Sequence, residues 1–130
     1  MSRIVLILNG LVFSMIGLGN LFVPATFLGR FGVQLSSPIA LAEARAVHGG
    51  GYAALAILMG LGWVRPDFRV TALRAVAFIM WGLAVGRLLG ILVDGATDGI
   101  TIVATAGEAL FGVLAVAALR REGRETSAAR

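Results

Sequence analysis

Long apolar stretches alternate along this chain with short polar breaks, and the stretches have the length of a bilayer crossing. An α-helix needs roughly 20 mainly apolar residues to cross hydrocarbon, and four segments come near that. The first runs from about Ile4 to Val23 and closes at Pro24. The second opens at Ser37-Pro38, a cap residue followed by proline in the first helical position, and runs to about Trp63. Pro66 and Asp67 break the chain, and a third segment extends from about residue 68 to Val93. Asp94-Gly95 and Asp98-Gly99 then form a turn, with Asp98 placed to cap a fourth segment from Gly99 to about Leu119. The pattern predicts an all-α fold: an integral membrane four-helix bundle, one domain over residues 1–119. Residues 120–130 lack an apolar period and read as a polar, solvated, mobile tail.

The first segment is expected to remain as a helix. Its apolar run exceeds the roughly 7–15 residues of a signal peptide, and no clear small-x-small cleavage site follows. Between Ala25 and Val33, the residues Phe27, Leu28, Phe31 and Val33 around Arg30 fit a segment lying flat in the interface or a plain loop. The two halves do not align in glycine or charge positions, so an inverted-repeat transporter has no support.

Composition sharpens the class. Charged residues make up 14% of the chain, against about a quarter in a soluble domain, and mean hydropathy is +0.93. Without cysteine, thiolate catalysis and Cys-ligated metals are excluded. A single histidine leaves only carboxylates to complete a metal site, so neither metal nor cofactor is expected. The net charge of +4 comes from arginine alone. Nucleic-acid binders gather cations on one solvated face, whereas these arginines sit between apolar runs and read as a topology signal. Arg3, Arg65, Arg69, Arg74, Arg120, Arg121, Arg124 and Arg130 share one side, and Arg30, Arg45 and Arg87 the other. The richer side is expected to be cytoplasmic, which puts both termini inside a bacterial inner (plasma) membrane.

Small residues recur where helices are expected to meet. Gly82, Gly86 and Gly90 form two overlapping GxxxG units, and Gly49, Gly50 and Gly51 precede Ala53 and Ala54. In lipid, helices associate by close packing that small residues permit, so these glycines read as contact surfaces. Whether they join helices within one chain or between two copies stays open.

The candidate chemistry is a layer of ionisable residues. At about 1.5 Å per residue, Glu43 lies about 8 Å inside the second segment, Arg45 about 10 Å and His48 about 15 Å. Arg87 lies about 9 Å from the end of the third, and Glu108 about 14 Å inside the fourth. Three helices thus bring charges to one stratum, the outer half of the membrane. A charge near mid-bilayer costs roughly 2.5–3.5 kcal/mol, so these groups should face one another or a wet cavity. Glu43 and Arg45 point about 160° apart on a helix, whereas Arg45, His48 and Tyr52 share a face. The expected arrangement pairs Glu43 with Arg87 and Arg45 with Glu108, with His48 and Tyr52 as the floor; which carboxylate takes which arginine is left open. Asp94, seven residues beyond Arg87, completes the candidate ligand-binding set. Such pairs either fix helix register or line a pocket for a small molecule, lipid headgroup or proton.

The string Ala42-Glu43-Ala44-Arg45-Ala46-Val47-His48-Gly49-Gly50-Gly51, with Gly86-Arg87-Leu88-Leu89-Gly90 followed by Asp94-Gly95, resembles a bacterial family of small four-helix membrane proteins. This is the domain of unknown function number 4345, itself distantly similar to DoxX-type proteins. The resemblance runs from the early glycines to Glu108. His48 departs from it, since the family pattern implies a tyrosine-like aromatic there. What the resemblance implies is the fold and the membrane, and no activity, cofactor or catalytic residue.

The leading expectation is a non-catalytic membrane protein binding a small molecule or lipid, with Arg45 and Arg87 as anion contacts. An accessory subunit of a larger membrane complex, or a homo-oligomer, is the alternative. A membrane enzyme or proton-coupled carrier built on Glu43, His48 and Glu108 ranks third, since no nucleophile-base pair, phosphate loop or metal signature supports it.

Overall fold

A computed structural model describes residues 1–128, with side-chain surroundings through Arg124. It contains four helices long and apolar enough to cross a membrane: Ser2–Phe22, Pro38–Val64, Pro66–Asp94 and one that starts at Gly99. We refer to them as the first to fourth long helices.

Their ends follow from local chemistry. The first long helix stops because Pro24 has no N–H to continue the ladder, and the Val23 N–H closes onto the Gly19 carbonyl. Pro24–Gly29 then forms one short helix, where the sequence fitted either an interfacial segment or a loop. Gly32, at φ 76°, turns the chain in a conformation that costs glycine little. Ser37 caps the second long helix, its Oγ accepting from the Ala40 N–H at 3.1 Å. That helix runs to Val64 and the third begins at Pro66. Gly95, at φ 68°, ends the third in the left-handed region that favours glycine at helix C-termini. Asp98 caps the fourth, its Oδ1 accepting from the Thr101 N–H at 3.0 Å.

The fourth long helix continues to Ala128, nine residues beyond the Leu119 boundary. Residues 120–128 therefore extend the helix, where the sequence read as a polar, solvated, mobile tail. The reason is their composition: Arg and Glu are good helix formers, and Arg69 reaches across from the third helix to Glu122, at 4.0 Å. Arg130 lies outside the described residues.

Each long helix packs mainly on its neighbours in sequence, and the first and fourth meet only thinly. The two ends of the bundle differ. At the proximal end, which carries residue 1 and the 64–66 bend, Leu6, Met59, Ala72, Leu73, Ala115 and Ala118 are all fully buried. Gly62 permits this closeness, and Gly17 permits a close approach of the first and second helices nearer the other end. A Cβ on Gly62 would come within 2.5 Å of Ala72 Cβ, and one on Gly17 within 2.7 Å of the Ala53 nitrogen. Outward residues such as Phe78, Leu92 and Val113 are exposed, which suits a lipid-facing surface and no aqueous one. Towards the distal end, where the chain crosses at residues 23–37 and 95–98, the first and fourth helices part and the core gives way to a cavity.

The second long helix is not regular. From Ala44 to Gly50 its turns widen, and the Gly51 N–H reaches back five residues to the Ala46 carbonyl. This π-helical segment holds both Arg45 and His48.

Candidate functional site

The cavity has a volume of about 800 Å³ and lies between the first and fourth long helices, floored by the second and third. Its wall is mostly apolar, with Phe13, Phe27, Phe31, Met80 and Phe111 among the large contributors. Set into this wall are six polar side chains: Asn9, Asn20, His48, Tyr52, Arg87 and Glu108.

The centre of that set is an ion pair. Arg87 Nε donates to Glu108 Oε1 at 2.8 Å. The third and fourth helices form a hairpin about the 95–98 turn, so residues at similar distances from the turn come level. The glutamate is the more enclosed partner, its side chain 11% exposed against 36% for the arginine. Tyr52, half-buried on the second helix, lies within electrostatic reach of both. Its ring stacks on His48, with centroids 6.4 Å apart, and meets Phe13 edge-on at 5.4 Å. Phe13 thus anchors the floor from the first helix.

Arg87, Glu108, His48 and Tyr52 therefore come together, but the expected pairings do not. Arg45 does not meet Glu108; its Nε donates to the Leu21 carbonyl at 3.1 Å. The last carbonyls of a helix have no partner within it, and a guanidinium at the same height satisfies one of them. Glu43 does not meet Arg87; it is exposed and forms no ion pair among the described residues. Asp94 is exposed too and stands outside the cavity wall. Three of the seven sequence-predicted ligand residues thus lie away from the cavity.

The glycines divide in the same way. Gly49 is a packing residue, since a Cβ there would press on the Leu21 side chain at 2.9 Å. A Cβ on Gly50 would approach only its own helix, at the Arg45 carbonyl. Gly82 and Gly86 face open space, and Gly90 approaches only its neighbour Asp94. Among the described residues the glycine ribbon of the third helix joins no other helix, which bears on the choice left open between contacts within one chain and between copies.

Sequence reasoning missed Asn20. Eleven residues after Asn9, it falls on nearly the same azimuth, and that spacing was the available signal. Both asparagines donate from Nδ2 to the carbonyl four residues earlier, at 2.8 Å for Asn9 and 2.9 Å for Asn20. Asn20 is fully buried and its Oδ1 has no hydrogen-bond partner. The second carboxylate oxygen of Glu108, Oε2, is likewise buried and unpartnered. Buried polar atoms without a partner are rare enough that each calls for a reason, and here two acceptors border one cavity. Among the described residues no group of three or more His, Asp or Glu side chains converges as a metal site would require.

The profile of a family described as a domain of unknown function, DUF4345, matches residues 1–119. No curated protein and no solved structure matches the chain.

Proposed function

The chain belongs to the DUF4345 family, and from that premise we propose that its bundle binds a small amphiphilic molecule or lipid in the distal cavity. The observation that carries this reading is the composition of the wall. A volume of about 800 Å³ falls within the roughly 300–1,000 Å³ of ligand sites, which are likewise apolar with a few placed polar groups. The polar groups also indicate the end of the ligand they would meet. Arg87 already holds one oxygen of Glu108, while the two unpartnered buried atoms are both acceptors. A hydroxyl or N–H on the ligand would satisfy them, so the head is a donor rather than an anion. The remainder of the molecule would lie against the phenylalanines.

Native mass spectrometry of the gently extracted protein tests this. A bound species is expected on the parent chain and is expected to be lost in Gly107→Phe. Gly107 lines the cavity and has open space where its Cβ would project, so the ring would fill the site without pressing on backbone. Retention of the same species at the same occupancy would place it elsewhere.

A second reading rests on the outward Gly82 and Gly86. Their face would let another helix approach closely, making the chain a homo-oligomer or a subunit of a larger membrane assembly. The same spectra report copy number. Both termini are proposed to face the cytoplasm, on the arginine asymmetry between the two ends.

A further inference from the structure

At the opposite end of the bundle a second concavity runs along the outer surface between the third and fourth long helices. It has a volume of about 560 Å³. One end is apolar, formed by Trp81, Val113, Val116 and Ala117, and the other end carries Arg120, Arg121 and Arg124. Among the described residues no acidic side chain lines it. Glu122, next to Arg121, lies 4.0 Å from Arg69 on the third helix. The floor is built deliberately close: the Trp81 indole lies over Gly112, where a Cβ would come within 2.9 Å of its Nε1. A Cβ at position 112 would force the indole to shift.

We infer that this groove binds an anionic phospholipid, with one acyl chain along Trp81 and Val113 and the phosphate among the three arginines. Register supports that occupant. From Val113 to Arg120 the helix rises about 10 Å at 1.5 Å per residue, so the apolar wall gives way to arginines within the roughly 15 Å of one leaflet of a 30 Å hydrocarbon core. Charge supports it as well, because basic pockets between membrane helices select anionic headgroups and arginine meets phosphate oxygens in a fixed, bidentate geometry. The site is independent of the distal cavity and shares no lining residue with it.

The test uses the purified full chain in detergent, titrated with phosphatidylglycerol or with phosphatidylcholine of the same acyl chains, and read by native mass spectrometry. Phosphatidylglycerol is expected to bind at least about tenfold more tightly, given the gain expected for each arginine near an anionic headgroup. Replacing Arg120, Arg121 and Arg124 together by Gln should abolish that preference. Ala117→Trp should weaken phosphatidylglycerol by a similar factor while keeping every charge, because it occupies the apolar half of the groove. Equal binding of the two lipids would overturn the proposal. So would a preference that survives Ala117→Trp, since the attraction would then be diffuse charge and not this groove. Helix content measured by circular dichroism on each variant separates loss of the site from loss of the fold.

Discussion

Substituting Arg87 by Met keeps the aliphatic stem and removes the guanidinium that Glu108 Oε1 accepts from at 2.8 Å. The carboxylate would be left with a side chain 11% exposed and no counter-charge, its other oxygen already unpartnered. Removing one member of a buried ion pair costs about 3–5 kcal/mol, and insertion scales give about 2.5–3.5 kcal/mol for a charge at mid-bilayer. Because Arg87 retains 36% exposure, the low end applies, about 3 kcal/mol. Glu108→Gln leaves the arginine, which has a route to water along its long stem, so the expected loss is smaller, about 1–2 kcal/mol. The double variant strands neither charge and should lose only about 2 kcal/mol, giving a coupling of about 2–3 kcal/mol between the two sites. Unfolding in mixed micelles with increasing denaturing detergent, followed by circular dichroism, supplies the four stabilities of the cycle. If the double variant equals the sum of the singles to within about 0.5 kcal/mol, the pair contributes no interaction and the central contact of the cavity is wrong.

The glycines supply a paired prediction. Gly17→Val should lower stability by about 1–3 kcal/mol through overpacking against Ala53, whereas Gly86→Ala, facing open space, should leave the melting temperature of the monomer unchanged or higher. Arg45→Met should cost about 1 kcal/mol by removing the donor to the Leu21 carbonyl, while Glu43→Ala should fall within about 0.5 kcal/mol of the parent; equal losses would refute the difference in their surroundings. At the distal turn, hydrogen bonds from the Thr101 hydroxyl and backbone N–H hold the Asp98 carboxyl below its usual range. A lowered folded-state pKa stabilises the helix start above the ordinary carboxylate value and loses that contribution as pH falls through the lowered one. The Thr101 amide resonance in micelles should therefore shift with a midpoint below that of an ordinary aspartate and stay flat in Asp98→Asn.

How much of this was legible beforehand depended on whether one helix or several decided the outcome. Ser37-Pro38, Pro66, Gly95 and Asp98 set boundaries through their own backbone chemistry, and the observed ends lie close to the expected ones. That Arg87 and Glu108 lie at one level was readable too, because rise per residue is nearly constant and both fall on regular helices. Their partnership was not, since depth alone cannot say which neighbour is adjacent. Arg45 shows the limit most clearly. Treated as a charge seeking an opposite charge, it belonged with Glu108, yet the first helix presents free carbonyls at the same height, and a cation stabilises a helix C-terminus. The glycine ribbon was ambiguous for a related reason: a GxxxG stripe announces that a close approach is sterically allowed without naming the partner, and Gly82 and Gly86 meet nothing among the described residues.

The widened turn of the second helix connects these departures. Placing Arg45, His48 and Tyr52 on one face assumed a constant 100° per residue, which holds only where each N–H bonds four residues back. Between Ala44 and Gly50 that condition lapses, and a wider turn advances each residue by a smaller angle. Arg45 then meets the end of the first helix, while His48 stacks on Tyr52 beside the ion pair. Such π segments are uncommon and recur at functional sites, and this one borders the cavity. Glycines at 49, 50 and 51 make it feasible in two ways. They relax the backbone constraint, and Gly49 lets Leu21 of the first helix press close. That contact sets Leu21 within reach of Arg45, so the same irregularity closes the first helix against the second and turns His48 towards the space between the first and the fourth.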